Sequence, residues 1–586
     1  MSDSRARDFI GFAREVLAAL RTDGQIPFEL VILRWRRMAF SAIHPKWPDR
    51  IMEGTKPDIL ELELKPRSGR VQPICPALLE FVDRRRWFIF GAIAAAYLLG
   101  FNGQWLVEPD GGLYLNLARN LALGRGYTYG GVRHETVYPG FPLALAGLYR
   151  ICGTHLIFAA DAFILLCSLA SLALVYRLIL LAYDRPTAVL VTLGLGFSHE
   201  FFRYSFEILT DMPFVMGVTA VLAGHEAVFG PRAPARWWDW TLLAAGVVIA
   251  TTTRPTVIGL LLAWMTALLY CAVVLRNWKA GIAIAICAVV VGMFVLFDPR
   301  RSAGHGLAGG YEEYAINQLS QVRGLRIIVA ANIRALLDPL LAKTAFGMRL
   351  WPKWTNPVFG IAVAAAATAL IAKRLLWGLW VILTLVTVIL FVSDDRYLLP
   401  ILPLMVLGWW NLVRAIDLRM PGRLGHAVVV FLLTVGIALN VIQVIGMIYH
   451  HRARPFLADY RDGKYEAFAR IAPDVARETG PGDAVLCPEK SARMIAFLAD
   501  RICFEEFEPY PAAMHLFVIV DPADGQYLRW MRAENIQLEG QPLATATRRG
   551  GQPAIYLVRA RRVPRNHSDK LRQQVTGAKA NSSAHH

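Results

Sequence analysis

Crossing a lipid bilayer takes about twenty consecutive apolar residues, and this chain supplies such runs repeatedly. About eleven can be read at that length scale, several of them short. They fall near 87–107, 157–182, 186–200, 211–229, 239–253, 255–275, 279–298, 356–372, 375–392, 397–413 and 426–448. Composition agrees. A soluble globular chain carries about 25% charged residues. Here 18% of 586 residues are charged and 55% are hydrophobic, with mean hydropathy +0.40. The expected fold class is a polytopic α-helical membrane protein of about eleven transmembrane helices. The run 139–152, "PGFPLALAGLYRIC", is too short to cross and is expected to be a re-entrant or interfacial helix.

Charge between the runs sets the orientation. "YDRP", "PRAPARWW", "RNWK", the Lys373-Arg374 pair and "RAIDLRMPGR" are short, basic and on the same side as the N-terminus, which makes that side cytoplasmic. Two long loops, about 108–156 and 299–355, then lie outside, together with everything after about residue 449. The net charge of +17 fits cytoplasmic loops facing anionic headgroups. Nucleic acid is not expected as a partner, because no basic patch is interleaved with aromatics.

Four regions are expected. Residues 1–86 form a cytoplasmic extension with no cleavable signal peptide, in which Phe9, Phe12, Ala13, Val16 and Leu20 recur at helical spacing. That helix could lie on the membrane or pack within its own segment. Residues 87–448 form the transmembrane domain. In 449–563, "DAVLC", "LFVIVD" and "AIYLVRA" read as buried strands between the helices "YEAFARIAPDVARE" and "YLRWMRAENI", hence a small extracytoplasmic α/β domain. Residues 564–586 read as a polar, disordered tail. Seven cysteines are scattered without a CxxC or Cys/His cluster, which argues against structural zinc. Cys487 and Cys503 share the last segment, where a disulfide or two thiols are both open.

Ionisable groups gather at one face in this topology. They are Glu108 and Asp110 after the first run, Asp211 in "EILTDMPF", Arg254 in "TTTRPT", and Asp394, Asp395, Arg396 and Tyr397 in "SDDRY". Acids and guanidinium groups at a membrane edge suit phosphate chemistry: a carboxylate accepts a proton, and arginine grips phosphate and stabilises charge developing on it. Each group also has a plain structural role. Asp110 can cap a helix over 111–123, whose Leu113, Leu117 and Leu121 share one face, and Asp211 can cap its own run. Arg254 and Arg396 can snorkel from helix ends. Gly111 and Gly112 are expected to let the chain turn beside the carboxylate, and Gly124 and Gly126 to end the helix.

The segments "EPDGGLYLNLARNLALGRGYTY", "YPGFPLALAGLYRICG", "EILTDMPFVMGVTAVL", "TTTRPTVIGLLLAW" and "DDRYLLPILPLM" occur in that order. Together they resemble the bacterial members of the C-type membrane glycosyltransferase superfamily, GT-C, over about residues 87–448. That superfamily includes the aminoarabinose transferase of lipid A and the protein O-mannosyltransferases. The resemblance implies a catalytic base at Asp110, with Glu108 two residues before it, and a second acid at Asp211. It implies donor-phosphate binding by Arg254 and Arg396 with Tyr397 adjacent. His134, Glu135, Tyr138 and Asp395 are then candidates for the acceptor or pocket. The chain departs from the aminoarabinose transferases, which have a Lys before Pro-Pro where this one has "HETVYPGFP". It departs from the protein mannosyltransferases because Gly111, not Glu, follows Asp110.

The resemblance therefore implies a multi-pass protein of the bacterial inner membrane with its active site on the extracytoplasmic face. It would be an inverting transferase moving a sugar from a polyprenyl-phosphate donor to an envelope glycolipid, polysaccharide or protein. No cofactor is specified, and the pattern leaves room for a divalent metal without requiring one. Two other classes fit less well. A flippase of lipid-linked sugars would carry charge near the midplane and internal repeats. A non-catalytic membrane subunit would use its acids only as caps.

Overall fold

A computed structural model describes residues 76–562 apart from 231–234, 299–321, 347–352, 392–393, 420–422, 454–463, 489–490, 506–514 and 549–553. The helix expected near residues 5–20 and the tail 564–586 lie outside the described residues.

The chain enters through α1 (Pro76–Arg84) and α2 (Arg86–Gly100). The first apolar run is helical only to Gly100. Residues after it run on as irregular chain, and Leu106 makes an isolated parallel bridge to Glu207. Pro109 then opens α3 (Pro109–Ala122) at the one helical position where a missing N–H costs nothing. Leu123 and Gly124 close it: Gly124 N–H donates to Leu121 and Arg125 N–H to Asn120, with Gly124 left-handed at φ 75°. A two-residue turn at Gly130-Gly131, both with positive φ, joins β1 (Thr128–Tyr129) to β2 (Val132–Arg133) as a hairpin.

The run 139–152 differs from expectation. It forms α4 (Gly140–Cys152) and passes through a single 3-10 turn at Gly153–His155 directly into α5 (Leu156–Ala182), so no surface loop separates the two. Next come α6 (Arg185–Gly196), α7 (His199–Tyr204), α8 (Asp211–Phe229), α9 (Trp237–Thr253), α10 (Val257–Val273) and α11 (Lys279–Phe297). The region expected as the second long loop contains α12 (Val322–Ala335), a π turn at Leu336–Leu340 and α13 (Leu341–Phe346). The remaining apolar runs are α14 (Thr355–Thr368), α15 (Leu375–Leu390), α16 (Leu402–Arg419) and α17 (Arg423–Ala453). A 3-10 helix, Asp395–Ile401, leads into α16.

Among the described residues, six helical segments are long and apolar enough to cross a bilayer, and α2, α10 and α15 are shorter apolar helices. The fold is that of a polytopic α-helical membrane protein. Helix α8 is its centre, with 89% of its apolar window buried, whereas the window in α17 is only 17% buried. Leu262, Leu269, Val289 and Phe297 on α10 and α11 are exposed; an apolar surface of that extent belongs against lipid rather than water.

Helices α8 and α9 meet at the closest backbone approach in the bundle. A Cβ on Gly217 would stand 2.8 Å from the Ala250 nitrogen, and one on Gly246 would stand 2.7 Å from the Val221 nitrogen. Small residues permit this contact, which supplies packing where lipid offers no hydrophobic drive between helices. It also brings the start of α8, Asp211, beside the end of α9, where Arg254 follows Thr253.

The C-terminal segment comprises α18 (Lys464–Glu478), β3 (Ala484–Leu486), α19 (Ala492–Ala499), β4 (Ile502–Phe504), β5 (Leu516–Val520), α20 (Gly525–Ala533), β6 (Ile536–Ala546) and β7 (Ile555–Arg562). Its sheet runs in the order β4-β3-β5-β7-β6, parallel from β4 to β5 and antiparallel beyond. Cys487 and Cys503 are not joined in a disulfide. Helix α19 packs on α3, so the C-terminal segment sits at the same end of the bundle as the loop that carries Asp110.

Candidate active site

The side chain of Asp110 does not cap α3. Glu108 holds the cap position in extended conformation, with no side-chain hydrogen bond, and Asp110 stands in the first turn. One of its oxygens, Oδ2, accepts from Arg396 Nη1 at 2.9 Å. The other, Oδ1, accepts from Arg493 Nη1 at 2.8 Å. The two guanidinium groups come from positions 286 and 383 residues away in the chain. About a third of the carboxylate remains exposed, 34%.

Asp211, at the first position of α8, pairs with Arg254 Nη1 at 2.8 Å. Both are buried, at 1% and 6% exposure. Arg254 Nε also donates to Thr210 Oγ1 at 3.1 Å. Tyr397 ties the two pairs together: the Arg254 and Arg396 guanidinium carbons lie 5.0 and 5.3 Å from the centre of its ring. Stacking on an aromatic face holds a guanidinium plane flat while leaving its edge free for anions.

A second charged network lies alongside. Arg203 Nε donates to Glu207 at 2.8 Å and approaches Glu108 and Glu200 at 3.8 and 3.9 Å. Lys343 of α13 bridges Glu200, at 3.3 Å, and Asp395. Tyr204 OH donates to Asp395 Oδ1 at 2.9 Å. Asp394 accepts from the Arg396 backbone N–H at 3.1 Å and so caps the 3-10 helix that presents Arg396 and Tyr397.

The two carboxyls next to each other in sequence are driven apart electrically. Burial pushes Asp110 up, but Arg396 outweighs it, helped by Arg493 and Arg254, and the carboxyl is held below its usual range. Burial also pushes Glu108 up. There the pull of Arg203 is insufficient, and the charge on Asp110 adds to the rise. Asp110 is thus the ionised member of the pair.

The structure brings together Glu108, Asp110, Asp211, Arg254, Asp395, Arg396 and Tyr397. His134, Glu135 and Tyr138 stand apart from these ion pairs. Tyr138 is buried and stacks on Phe294, ring centres 5.7 Å apart. His134, beside the hairpin, faces Tyr127 and Tyr129 and shares a hydrogen bond with Thr136.

The glycines after Asp110 serve a different purpose from the one expected. They lie inside α3, and a Cβ on Gly111 would stand 3.0 Å from the Ile208 carbonyl oxygen. A Cβ on Gly112 would stand 2.9 Å from the backbone of Arg493. They admit neighbouring chain, not a turn. The leucines of α3 likewise do not face lipid: Leu113 and Leu117 are buried with Tyr127 and Val137 under the hairpin.

Sequence reasoning missed Arg493, Lys343, Glu200, Arg203 and Glu207. For three of them a local signal existed. In "HEFFRYSFE", Glu200, Arg203 and Glu207 follow at intervals of three and four, the spacing of ion pairs along a helix. Arg493 has no local signal. Among the described residues, no group of three or more His, Cys, Asp or Glu is arranged to hold a metal ion. Asp110, Asp211 and Asp395 are each engaged by Arg or Lys, a donor set that does not fit a divalent cation.

No protein-family model matches the chain, and no curated protein matches it in sequence. Its fold is similar to that of ArnT from Cupriavidus metallidurans bound to undecaprenyl phosphate, with TM-score 0.50 at 13% identity, covering 80% of this chain and 97% of that one. The chain has a GT-C-like membrane fold. The apo structure of the same ArnT has TM-score 0.48 at 12% identity over the same shares of the two chains. The oligosaccharyltransferase of Archaeoglobus fulgidus in complex with zinc and sulfate has TM-score 0.47 at 12% identity, covering 75% of this chain and 69% of that one. In this GT-C-like fold the charged cluster sits where α3, α8, the link between α9 and α10, the 3-10 helix before α16, and α19 come together.

Proposed function

We propose that the chain is a glycosyltransferase that moves a sugar from a polyprenyl-phosphate donor to an extracytoplasmic acceptor, a glycolipid, polysaccharide or protein. One observation carries the reading. Asp110, an ionised and partly exposed carboxylate, stands in one cluster with Arg254, Arg396 and Tyr397. A proton acceptor beside phosphate-binding groups is the pair that displacement of a phosphate requires. The similar fold of ArnT, a structure bound to undecaprenyl phosphate, adds support.

The acceptor hydroxyl oxygen attacks the anomeric carbon from the face opposite the phosphate, with inversion. Its proton passes to Asp110. The bond from the anomeric carbon to the phosphate oxygen breaks, and the electron pair leaves with polyprenyl phosphate. Arg396 and Arg254 stabilise the charge that develops there. Asp211 orients the acceptor and fixes Arg254. No step passes through a metal. Glu108 and Asp395 shape the charge around the site, and His134, Glu135 and Tyr138 line the approach of the acceptor.

The protein lies in the bacterial inner membrane. Residues 1–86 are cytoplasmic, 87–448 form the catalytic membrane domain, and 449–563 are extracytoplasmic, with 564–586 as a tail. The decisive experiment incubates purified protein with labelled polyprenyl-phosphate sugars and an envelope extract as acceptor source. Release of polyprenyl phosphate with transfer of label is expected. Movement of intact sugar-lipid between vesicle leaflets without release would make the protein a flippase instead.

A further inference from the structure

We propose that Arg493 is a positioning residue for Asp110, so that the reactive carboxylate is finished by the C-terminal segment rather than by the membrane helices alone. This rests on the reading of Asp110 as the base.

Arg493 immediately follows the first residue of α19. Its Nη1 donates to Asp110 Oδ1 at 2.8 Å, and its Nε pairs with Glu505 at 3.0 Å. The guanidinium is therefore held from two sides. Its backbone is fixed as well. Asn116 Nδ2 donates to the Arg493 carbonyl at 2.9 Å. One turn on, Arg119 donates to the carbonyls of Ala496 and Phe497 at 3.1 and 2.6 Å. Gly112 lacks the Cβ that would collide with this backbone. The local chain of α3 is shaped to receive one particular turn of α19.

A carboxylate offers about two lone pairs on each oxygen. Arg493 takes one on Oδ1 and Arg396 one on Oδ2, which fixes the plane of the carboxylate and leaves the outer positions for an incoming proton. The groups facing Asp110 are Arg396, Arg493 and Arg254 on the cationic side, and Glu108 and Asp211 on the anionic side. Removing one of three cations leaves the carboxyl easier to protonate.

Two readouts on the full-length protein test this. The first does not depend on activity: the pH midpoint for carbodiimide modification of Asp110, read by peptide mass spectrometry, since the protonated carboxyl is the form that reacts. Arg493→Gln should raise that midpoint by about one pH unit, and Arg493→Lys should restore most of it. The second is transfer. Arg493→Gln should lower kcat roughly tenfold, move the acid limb of kcat/KM upward by the same amount, and leave KM for the donor unchanged. Asn116→Ala loosens the same helix pair without touching Asp110 and should move neither midpoint nor limb. An unmoved labelling midpoint in Arg493→Gln, or an equal shift in Asn116→Ala, would overturn the proposal. A raised donor KM with an unmoved midpoint would make Arg493 a phosphate ligand instead. A shifted midpoint in a protein whose transfer survives Asp110→Asn would uphold the coupling while refuting Asp110 as the base.

Discussion

Helix α8 carries a buried acid near each end, and the two are paired in different company. At its start Asp211 meets Arg254 at 2.8 Å. Three turns from its start begins a stretch that ends with Glu226, which meets Arg374 at 3.0 Å, beside a hydrogen bond from Trp264 Nε1 to His225 Nδ1 at 3.3 Å. The far pair joins two neighbouring helical segments and is enclosed by aromatic and apolar residues. The near pair is one strand of a web drawn from several segments, with Arg396, Tyr397 and Asp110 within contact. A buried ion pair by itself is weak evidence of function, because removing either partner strands a charge whatever its role. What separates the ends is the half-exposed Asp110 carboxylate beside the near one.

The sharpest way to break this contrast is Asp110→Asn. The amide keeps size and can still meet Arg396 and Arg493, but it cannot accept the proton. Turnover should fall about 10²–10⁴-fold while the melting temperature changes little, since Asp110 caps nothing. Near-normal transfer would make the near end as purely structural as the far one.

Arg396→Gln comes next. This guanidinium is only partly buried, so the fold tolerates its loss, and a charge-assisted contact to phosphate is worth about 1.5–3 kcal/mol. Equilibrium binding of polyprenyl phosphate should weaken roughly ten- to a hundredfold. Unchanged binding would mean that Arg396 serves Asp110 alone. Arg254 is a poorer probe, because its removal would leave Asp211 buried without its cation.

A matched pair of substitutions then compares the ends directly. Asp211→Asn and Glu226→Gln should each cost roughly 1–3 kcal/mol in chemical unfolding, since each weakens a buried charge-assisted contact. Only Asp211→Asn should also depress transfer. Equal losses of transfer from both would erase the distinction between the two ends.

The smallest effect belongs to Glu108→Gln. Its carboxyl is pushed up while that of Asp110 is held down, so it is not the ionised partner that takes the proton. Transfer should fall less than about tenfold. Asp110 contributes its ion pairs fully above the unfolded value near 4 and loses them only as pH falls through its lowered folded value. An acid-side loss of transfer between pH 5 and 7 that disappears in Glu108→Gln would assign that limb to Glu108.

Much of this protein was written locally. Run length and hydropathy specify membrane helices because the cost of leaving backbone groups unpaired in lipid depends only on the segment itself. Pro109 and Gly124 mark the ends of α3 for equally local reasons, and Asp211, Arg254 and Arg396 stand at helix ends that the apolar runs define. The tertiary structure decided the rest. Which guanidinium meets which carboxylate depends on packing across hundreds of residues, and no spacing rule reaches from Asp110 to Arg493. The glycines of α3 and the pair Gly217 and Gly246 read as turns or weak helix positions until the neighbour that fills their missing side chains is in place. Charge in the sequence supplied the cast of the site, and close packing of backbones chose the partners.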